Sequence, residues 1–330
     1  MGKKNLSVLV LTDGKISSLN QCEGLISILE KNKKFEFNLH FQKVCLGTIQ
    51  KLPNIAIYYL MKFKVKKDYF LNINPNLIIS CGRVSAPVSL IAKTIFKCLN
   101  VHILNPYISY KNFDFIIIPK HDNFPKLTNV IRINTAMVDK KKLFFSRSEI
   151  LEKLEHQKIP YKKNLVTILL GGNSDSTKIT KNDMKKLIKN LKVNKNKNDY
   201  YCFLFSRRSS EMMKDLVRDN FQKDSYIWNE ILPNPYWLLL KVSKYLIVTG
   251  DSISMTSECI AARKCVFVFM PQNLKTKTKN FQYSLFKKNI TKQYKENFLK
   301  YKLKENDILK LENVISNKIG SKLFPSFMNP

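Results

Sequence analysis

The chain has 330 residues, 44% hydrophobic and 25% charged, with 57 Lys and Arg against 25 Asp and Glu for a net charge of +32. Such a composition excludes a disordered chain and allows about two core-bearing domains, while no run reaches the roughly 18 apolar residues of a membrane span. Seven scattered cysteines with no Cys-x-x-Cys pair and four dispersed histidines argue against a disulfide scaffold and a zinc site, so no metal is expected.

A first strand is expected at Leu6–Leu11. That stretch is short and no small-residue cleavage site follows it, and Leu6 stands where N-myristoylation favours Ser or Thr. A cytoplasmic protein is therefore expected. The turn Thr12-Asp13-Gly14 precedes a helix at Cys22–Lys31. Asn54–Phe70 mixes large apolar residues with a Lys-rich end, which fits either a core helix with a solvated basic end or a face for peripheral contact with an acidic membrane. A strand at Leu77–Ser80 then leads into Gly82-Arg83, a helix at Ala86–Lys97, and strands at Val101–Leu104 and Phe115–Ile118, the latter followed by His121 and Asp122.

The alternation pauses after about Val138, and residues 146–164 read as a linker between a domain at 1–145 and a second at 165–305. In the second half, Val166–Leu170 is a strand running into Gly171-Gly172-Asn173-Ser174, where paired glycines let the backbone approach an anion and hydroxyls add donors. After a helix at Asn182–Lys192, the strand Tyr201–Phe205 ends in Ser206-Arg207-Arg208, either a phosphate clamp or the exposed basic start of the helix at Ser209–Asn220. Asn234-Pro235-Tyr236 reads as a helix entry with Asn234 as cap and proline in the first turn of a helix at Pro235–Val242.

The strand Tyr245–Thr249 ends in Gly250-Asp251-Ser252-Ile253-Ser254-Met255-Thr256-Ser257-Glu258, with a helix starting at about Ser254. Free amides at a helix start, the helix dipole and the hydroxyls of Ser252, Ser254 and Ser257 together suit a diphosphate. Glu258 shares a helix face with Ser254, where a carboxylate can accept both hydroxyls of a ribose; the bland alternative is a capping box in which Ser254 caps the helix. A strand at Cys265–Phe269 follows. Lys275–Lys304 interleaves lysines with Phe281, Tyr283, Phe286, Tyr294, Phe298 and Tyr301. Only seven of the 57 basic residues are arginine, so specific nucleic-acid binding is not expected and a basic helical segment accounts for it. A last helix at Asn306–Asn317 is expected to close over the first domain, with residues 306–330 forming a C-terminal helix and tail. Continuous apolar strands alternating with helices give an α/β fold, two Rossmann-like doubly wound domains facing across a cleft lined by strand carboxyl ends.

The stretch Val248–Glu258 resembles the signature of the mitochondrial-fission elongated-mitochondria family of plants and alphaproteobacteria. Thr12-Asp13-Gly14, Asn20-Gln21, Gly24-Leu25, Gly82-Arg83, Pro119 with His121-Asp122, Gly171-Gly172-Asn173, Ser206-Arg207-Arg208 and Asn234-Pro235-Tyr236 resemble further blocks in the same order, over roughly residues 6 to 270. The sequence departs from the family at Asn105-Pro106-Tyr107, where Asp-Pro-Arg is usual, and at Asn134-Thr135-Ala136, where a Thr-Gly-Ala turn is usual. Both departures fall on the acceptor side. The resemblance implies a GT-B-like fold. Its Gly-Gly and hydroxyl-rich loops are similar to those with which the peptidoglycan N-acetylglucosaminyltransferase holds the diphosphate and ribose of a UDP-sugar. On that footing the nucleotide-sugar ligands are Gly171, Gly172, Asn173, Ser174, Arg207, Arg208, Asp251, Ser252, Ser254, Met255, Ser257 and Glu258, with a UDP-linked co-substrate and no other cofactor.

An inverting transferase of this kind needs a base beside the acceptor hydroxyl. The strand ends of the first domain offer Asp13, His121 and Asp122, and Arg83 would hold an acceptor phosphate or a structural carboxylate. Three functions follow: a glycosyltransferase making an envelope glycan or glycolipid on a lipid-linked or phosphorylated acceptor at the inner face of the cytoplasmic membrane; a non-catalytic interaction protein of the dynamin-recruiting type; and a nucleotide-sugar epimerase. The lysine-rich composition fits an AT-rich bacterial genome, which favours the first.

Overall fold

The structure, a computed structural model, describes residues 4–31, 35–71, 73–161, 163–174, 177–296, 301 and 306–323. The chain divides into two compact units, one formed by the residues up to Asp139 together with those from Asn306 on, the other by Lys140–Glu305.

The first unit runs β1 (Lys4–Thr12), α1 (Ile16–Leu29), β2 (Phe35–Lys43), α2 (Asn54–Lys62), β3 (Leu77–Cys81), α3 (Ser85–Phe96), β4 (Leu99–Ile103), β5 (Phe115–Pro119) and β6 (Val130–Ile133). Its sheet has the order β2-β1-β3-β4-β5-β6, parallel throughout. Successive side chains of a strand point to opposite faces, so β1 feeds two cores. Val8 and Val10 pack with Leu25 and Ile28 of α1, while Leu9 and Leu11 pack with Val88 and Ile91 of α3 and Ile57 of α2. Strands covered on both faces read as near-continuous apolar runs, as in β5 throughout and in β3 apart from the buried Ser80. The edge strand β2 instead alternates between half-buried and exposed residues, so it shows no continuous apolar run. β4 stops at Ile103 rather than Leu104, because Leu104 adopts the left-handed region at φ 76°.

The second unit runs α4 (Arg147–His156), β7 (Asn164–Leu170), β8 (Thr177–Lys178), α5 (Lys181–Asn194), β9 (Asp199–Phe205), α6 (Glu211–Phe221), β10 (Ser225–Ile227), α7 (Tyr236–Val242), β11 (Tyr245–Thr249), α8 (Ile253–Ala261), β12 (Cys265–Phe269), β13 (Asn273–Leu274), α9 (Thr276–Lys287) and β14 (Lys292–Gln293). Its parallel sheet has the order β10-β9-β7-β11-β12-β14, and β8 and β13 form a small antiparallel pair. The stretch 146–164, where a linker was expected, belongs to the second unit. It carries α4, whose Ser146 and Glu149 form a capping box and whose Leu154 is buried, and Ile159 is buried after it. Among the aromatics of the basic segment, Phe281 and Tyr294 are buried and Tyr301 donates its hydroxyl to Ile290 O at 2.8 Å, so these are core residues; Phe298 lies outside the described residues.

The chain then returns to the first unit through α10 (Asn306–Leu323), which places Ile315 and Ile319 in the α1 core and pairs Glu312 with Lys31.

On β3 and β4 of the first unit, Ser80 and His102 face each other in register, fully buried, with Ser80 Oγ 2.8 Å from His102 Nδ1. Burial pushes the imidazole down to about 3, so it is neutral in the folded protein at physiological pH. The unfolded chain binds a proton there near pH 6.5 and the folded chain does not, so this group lowers stability as pH falls from about 6.5 towards 3, by up to about 1.4 kcal/mol per pH unit. Urea unfolding of wild type and His102→Gln at a series of acidic pH values checks this: the variant is expected to show the flatter dependence, and equal slopes would assign the titration elsewhere.

Candidate functional site

In the second sheet β9, β7 and β11 are neighbours, and the strand order reverses beside β7. Ligands of doubly wound sheets bind outside the strand carboxyl ends at such a reversal. There β7 leads into Gly171-Gly172, β9 into Ser206-Arg207-Arg208, and β11 into Gly250-Asp251-Ser252.

A lock of polar contacts joins these three loops. Thr249 Oγ1 accepts the Gly171 N–H at 2.8 Å and donates to Asp251 Oδ1 at 2.7 Å. Asp251 Oδ2 accepts the Gly172 N–H at 3.2 Å and lies 3.4 Å from Arg208 Nη2. Ser209 Oγ donates to Gly171 O at 2.6 Å, and the Asn173 N–H donates to Arg208 O at 3.2 Å. Burial of the Asp251 carboxyl raises its pKa, against the lowering effect of Thr249, Gly172 and Arg208.

The two glycines serve this packing. A Cβ on Gly171 would lie 2.1 Å from Asp251 Oδ2, and one on Gly172 would lie 1.9 Å from the Arg208 carbonyl oxygen. The expectation that their amides stand free for an anion is therefore corrected: all four amides from Gly171 to Ser174 donate within the protein, that of Ser174 to Thr177 O. Asn173 Oδ1 in turn accepts the Ile179 N–H.

The free donors lie one loop further on. α8 starts at Ile253, and its cap is Ser252, not Ser254: the extended Ser252 accepts the Met255 N–H on its Oγ at 3.2 Å. The first-turn amides of Ile253 and Ser254 are left without a partner among the described residues, at the positive end of the helix dipole. Ser257 turns its hydroxyl onto Ile253 O, so it stabilises the helix rather than facing a ligand.

Glu258 belongs to the second turn of α8 and makes no capping box. Its Oε2 accepts the hydroxyl of Tyr236, the first residue of α7. Burial raises the pKa of both groups; for Glu258, Tyr236 and the Lys142 ammonium work in the opposite direction. α7 begins at Tyr236 because Pro235 takes the cap position, while Asn234 Oδ1 accepts the Tyr236 N–H; Asn234 was expected as the cap itself. Glu258, Tyr236, Met255, Ser206, Arg207 and Trp228 are among the residues lining a cavity of about 550 Å³ at the ends of β7 and β9. Of the twelve residues expected to bind a nucleotide sugar, Arg207, Met255 and Glu258 line it. Ser254 stands at the free amides, while Gly171, Gly172, Asn173, Arg208, Asp251 and Ser252 shape the loops behind. Tyr236, Thr249, Ser209 and Trp228 escaped the sequence reading. Only Tyr236 carried a signal, its place just after Asn-Pro at a helix entry.

In the first unit, Asp13 follows β1 and His121 follows β5, with β3 and β4 between, which separates them by roughly 14 Å at ordinary strand spacing. They form no common acid–base group. Asp13 pairs with Lys15 at 3.0 Å; burial works to raise its pKa, but hydrogen bonds from Ser18 and Lys15 outweigh this and hold it below the ordinary value. The side chain of His121 is 3% exposed, with Nε2 3.6 Å from Asp122 Oδ1. Arg83, expected on the acceptor side, is held by the loop before α2 and by the first residue of that helix. Its guanidinium donates to Leu52 O at 2.9 Å, Asn54 Oδ1 at 3.1 Å and Gln50 O. Among the described residues no group of three His, Cys, Asp or Glu is placed to hold a metal ion, and no helix is long and apolar enough to cross a membrane.

A family model described as mitochondrial fission ELM1 matches residues 18–316. The uncharacterized protein RP120 of Rickettsia prowazekii (strain Madrid E) is 26% identical over 333 residues, covering 88% of this chain and 91% of that one. The mitochondrial fission protein ELM1 of Arabidopsis thaliana is 36% identical over 69 residues, 21% of this chain and 16% of that protein. Among solved structures, a glycosyltransferase from Rickettsia africae ESF-5 superposes with a TM-score of 0.52 at 12% identity, covering 99% of this chain and 100% of that one. The UDP-GlcNAc 2-epimerase of Methanocaldococcus jannaschii gives 0.52 at 11% identity, covering 95% and 93%. These likenesses show the fold, GT-B-like with two Rossmann-like units.

Because the two glycines sit against a carboxylate and a backbone carbonyl, Gly171→Ala and Gly172→Ala are each expected to cost about 2–4 kcal/mol. Gly320→Ala on α10, where a Cβ meets nothing within 4 Å, is the control and is expected to be neutral or stabilising. Chemical denaturation of the three variants measures the contrast.

Proposed function

The chain belongs to the mitochondrial fission ELM1 family, and from that premise we propose that it is a metal-independent GT-B-type glycosyltransferase whose second unit binds a UDP-linked sugar. One observation carries this reading: the buried carboxylate of Glu258, oriented by Tyr236, in the wall of a cavity that also presents Arg207 and adjoins the free amides of α8. A carboxylate accepts hydrogen bonds from both hydroxyls of a ribose, while arginine and a helix start hold a diphosphate. The cavity volume of about 550 Å³ lies in the range of small-ligand sites.

In the proposed reaction the acceptor hydroxyl attacks the anomeric carbon as the bond to the diphosphate breaks. The hydroxyl proton passes to a base of the first unit, and the leaving diphosphate is stabilised by Arg207 and the α8 amides. His121, with Asp122 beside it, is the base this reading assigns. The net charge of +32 favours a phosphorylated or lipid-linked acceptor, as in synthesis of an envelope glycan or glycolipid at the membrane's inner face. An epimerase of the same fold would bind the same donor but release an altered sugar without an acceptor, and an interaction protein would need no donor.

A panel of nucleotides and nucleotide sugars, followed by thermal shift at low and raised salt, tests the donor site. A ligand at about 100 times its Kd adds roughly 2.7 kcal/mol. A UDP-specific shift that survives salt, with affinity falling about 10- to 100-fold in Glu258→Ala, is the expected result. Indifference of the variant would remove Glu258 from the site. Since burial raises the Glu258 pKa, affinity is expected to fall on acidification before the ordinary glutamate range is reached. His121→Ala is expected to abolish sugar transfer while leaving donor binding unchanged; retained turnover would discard that base.

A further inference from the structure

Arg83 and α2 point to a surface that the sugar chemistry does not use. Helix α2 is nine residues long, about 13 Å, and packs inward through Ile57, which is fully buried in the core of the first unit. A surface helix ordinarily turns polar residues outward. Here the outward positions carry Ile55, Tyr59, Leu60 and Phe63, exposed by 49%, 61%, 48% and 82%, with Leu52 just before the helix. Tyr59 and Phe63 are four residues apart and so stand one above the other on the same face. Exposed apolar side chains clustered in this way mark a surface that something covers.

The flanking charge says what covers it. Lys51, Lys62, Lys64, Lys66 and Lys67 are all exposed, none has an ion-pair partner among the described residues, and no acidic residue occurs between positions 51 and 67. Aromatic and aliphatic side chains at the crest with lysines alongside match the layering of a bilayer surface, where apolar groups enter the acyl boundary and ammonium groups meet lipid phosphates. A helix this short lies in the plane of such a surface and does not cross it.

The helix is also fixed in place. Asn54, 1% exposed, donates from Nδ2 to Arg83 O at 2.7 Å and to Pro106 O at 2.6 Å, and Arg83 returns hydrogen bonds to Gln50 O, Leu52 O and Asn54 Oδ1. Arg83 and Pro106 lie in the loops that follow β3 and β4. The apolar crest is thereby braced against the carboxyl edge of the first sheet, the edge at which doubly wound sheets receive ligands.

We propose that the outward face of α2, with its lysine flank, docks the protein on an anionic phospholipid bilayer and holds the carboxyl edge of the first sheet at the lipid surface. The proposal rests on the first unit alone and stands whatever ligand the second unit takes. Arg83 and Asn54 are then positioning residues that keep the docking helix in register with that edge.

The test uses the full chain carrying Phe63→Trp, with Phe144→Trp, an exposed site of the second unit, as control; Trp228 and Trp237 set a background measured on wild type. Phosphatidylcholine vesicles are compared with vesicles containing roughly 30% phosphatidylglycerol, each with and without brominated lipid. Emission of Phe63→Trp is expected to shift blue and to be quenched by brominated lipid in the anionic vesicles only, while the control is not quenched. Co-sedimentation of Tyr59→Ser/Phe63→Ser, checked for an unchanged Tm, is expected to fall at least about tenfold. Binding of the chain to anionic vesicles without quenching at position 63, or undiminished binding of the double variant, would overturn the proposal in favour of diffuse attraction by the +32 charge. Emission already blue-shifted without lipid, together with a dimer that the double variant breaks, would overturn it in favour of a second copy of the chain.

Discussion

The candidate site depends on one constraint: three strand-end loops must approach more closely than any side chain larger than hydrogen permits at two positions. Gly171 and Gly172 admit the Asp251 carboxylate and the Arg208 carbonyl, and the Thr249 hydroxyl closes the arrangement. With these loops fixed, the start of α8 has a fixed place, and Glu258, reached one turn later, finds the Tyr236 hydroxyl waiting. A buried carboxylate is costly unless it is hydrogen-bonded. Among the buried carboxylates, Asp251 and Glu258 stand within eight residues of each other, one satisfied inward by the loop lock and one set in a cavity wall.

How much of this could be read from the sequence follows from the physics of each element. Strands buried on both faces announce themselves as apolar runs, so β1, β3, β5, β7, β9, β11 and β12 were visible, whereas β2 and β6 alternate and the two-residue strands are too short to carry a pattern. The Gly-Gly pair was visible as a special place but its reason was not. Glycine serves equally for approach to an anion and for approach to a neighbouring loop, and which one applies depends on a partner eighty residues away, Asp251. Caps shifted by one or two residues, at Ser252 and Pro235, because several polar residues in succession can each end the extended segment. Pairings such as Glu258 with Tyr236 are set by sheet order, which no local spacing encodes.

Arg83 shows the same limit from the other side. An arginine after a strand end suggests an anion site, and this one donates to two backbone carbonyls and an asparagine. Five planar donors match a cluster of carbonyls at a loop crossing as readily as they match a phosphate. The distinction matters in a chain with seven arginines among 57 basic residues, because each is a scarce rigid donor. Two brace loops of the first unit, Arg83 and Arg132, while Arg207 faces the cavity.

The return of α10 to the first unit has a bearing on how the molecule is made. A ribosome releases β1 to β6 early, but Ile315 and Ile319, which belong to the core against α1, emerge only after the whole second unit. The usual order of synthesis, in which the leading domain closes before the next appears, is therefore reversed. The second unit has all its strands while the first still shows an apolar groove along α1. Until the last helix arrives, that groove is the part of the nascent chain on which a chaperone would have reason to act.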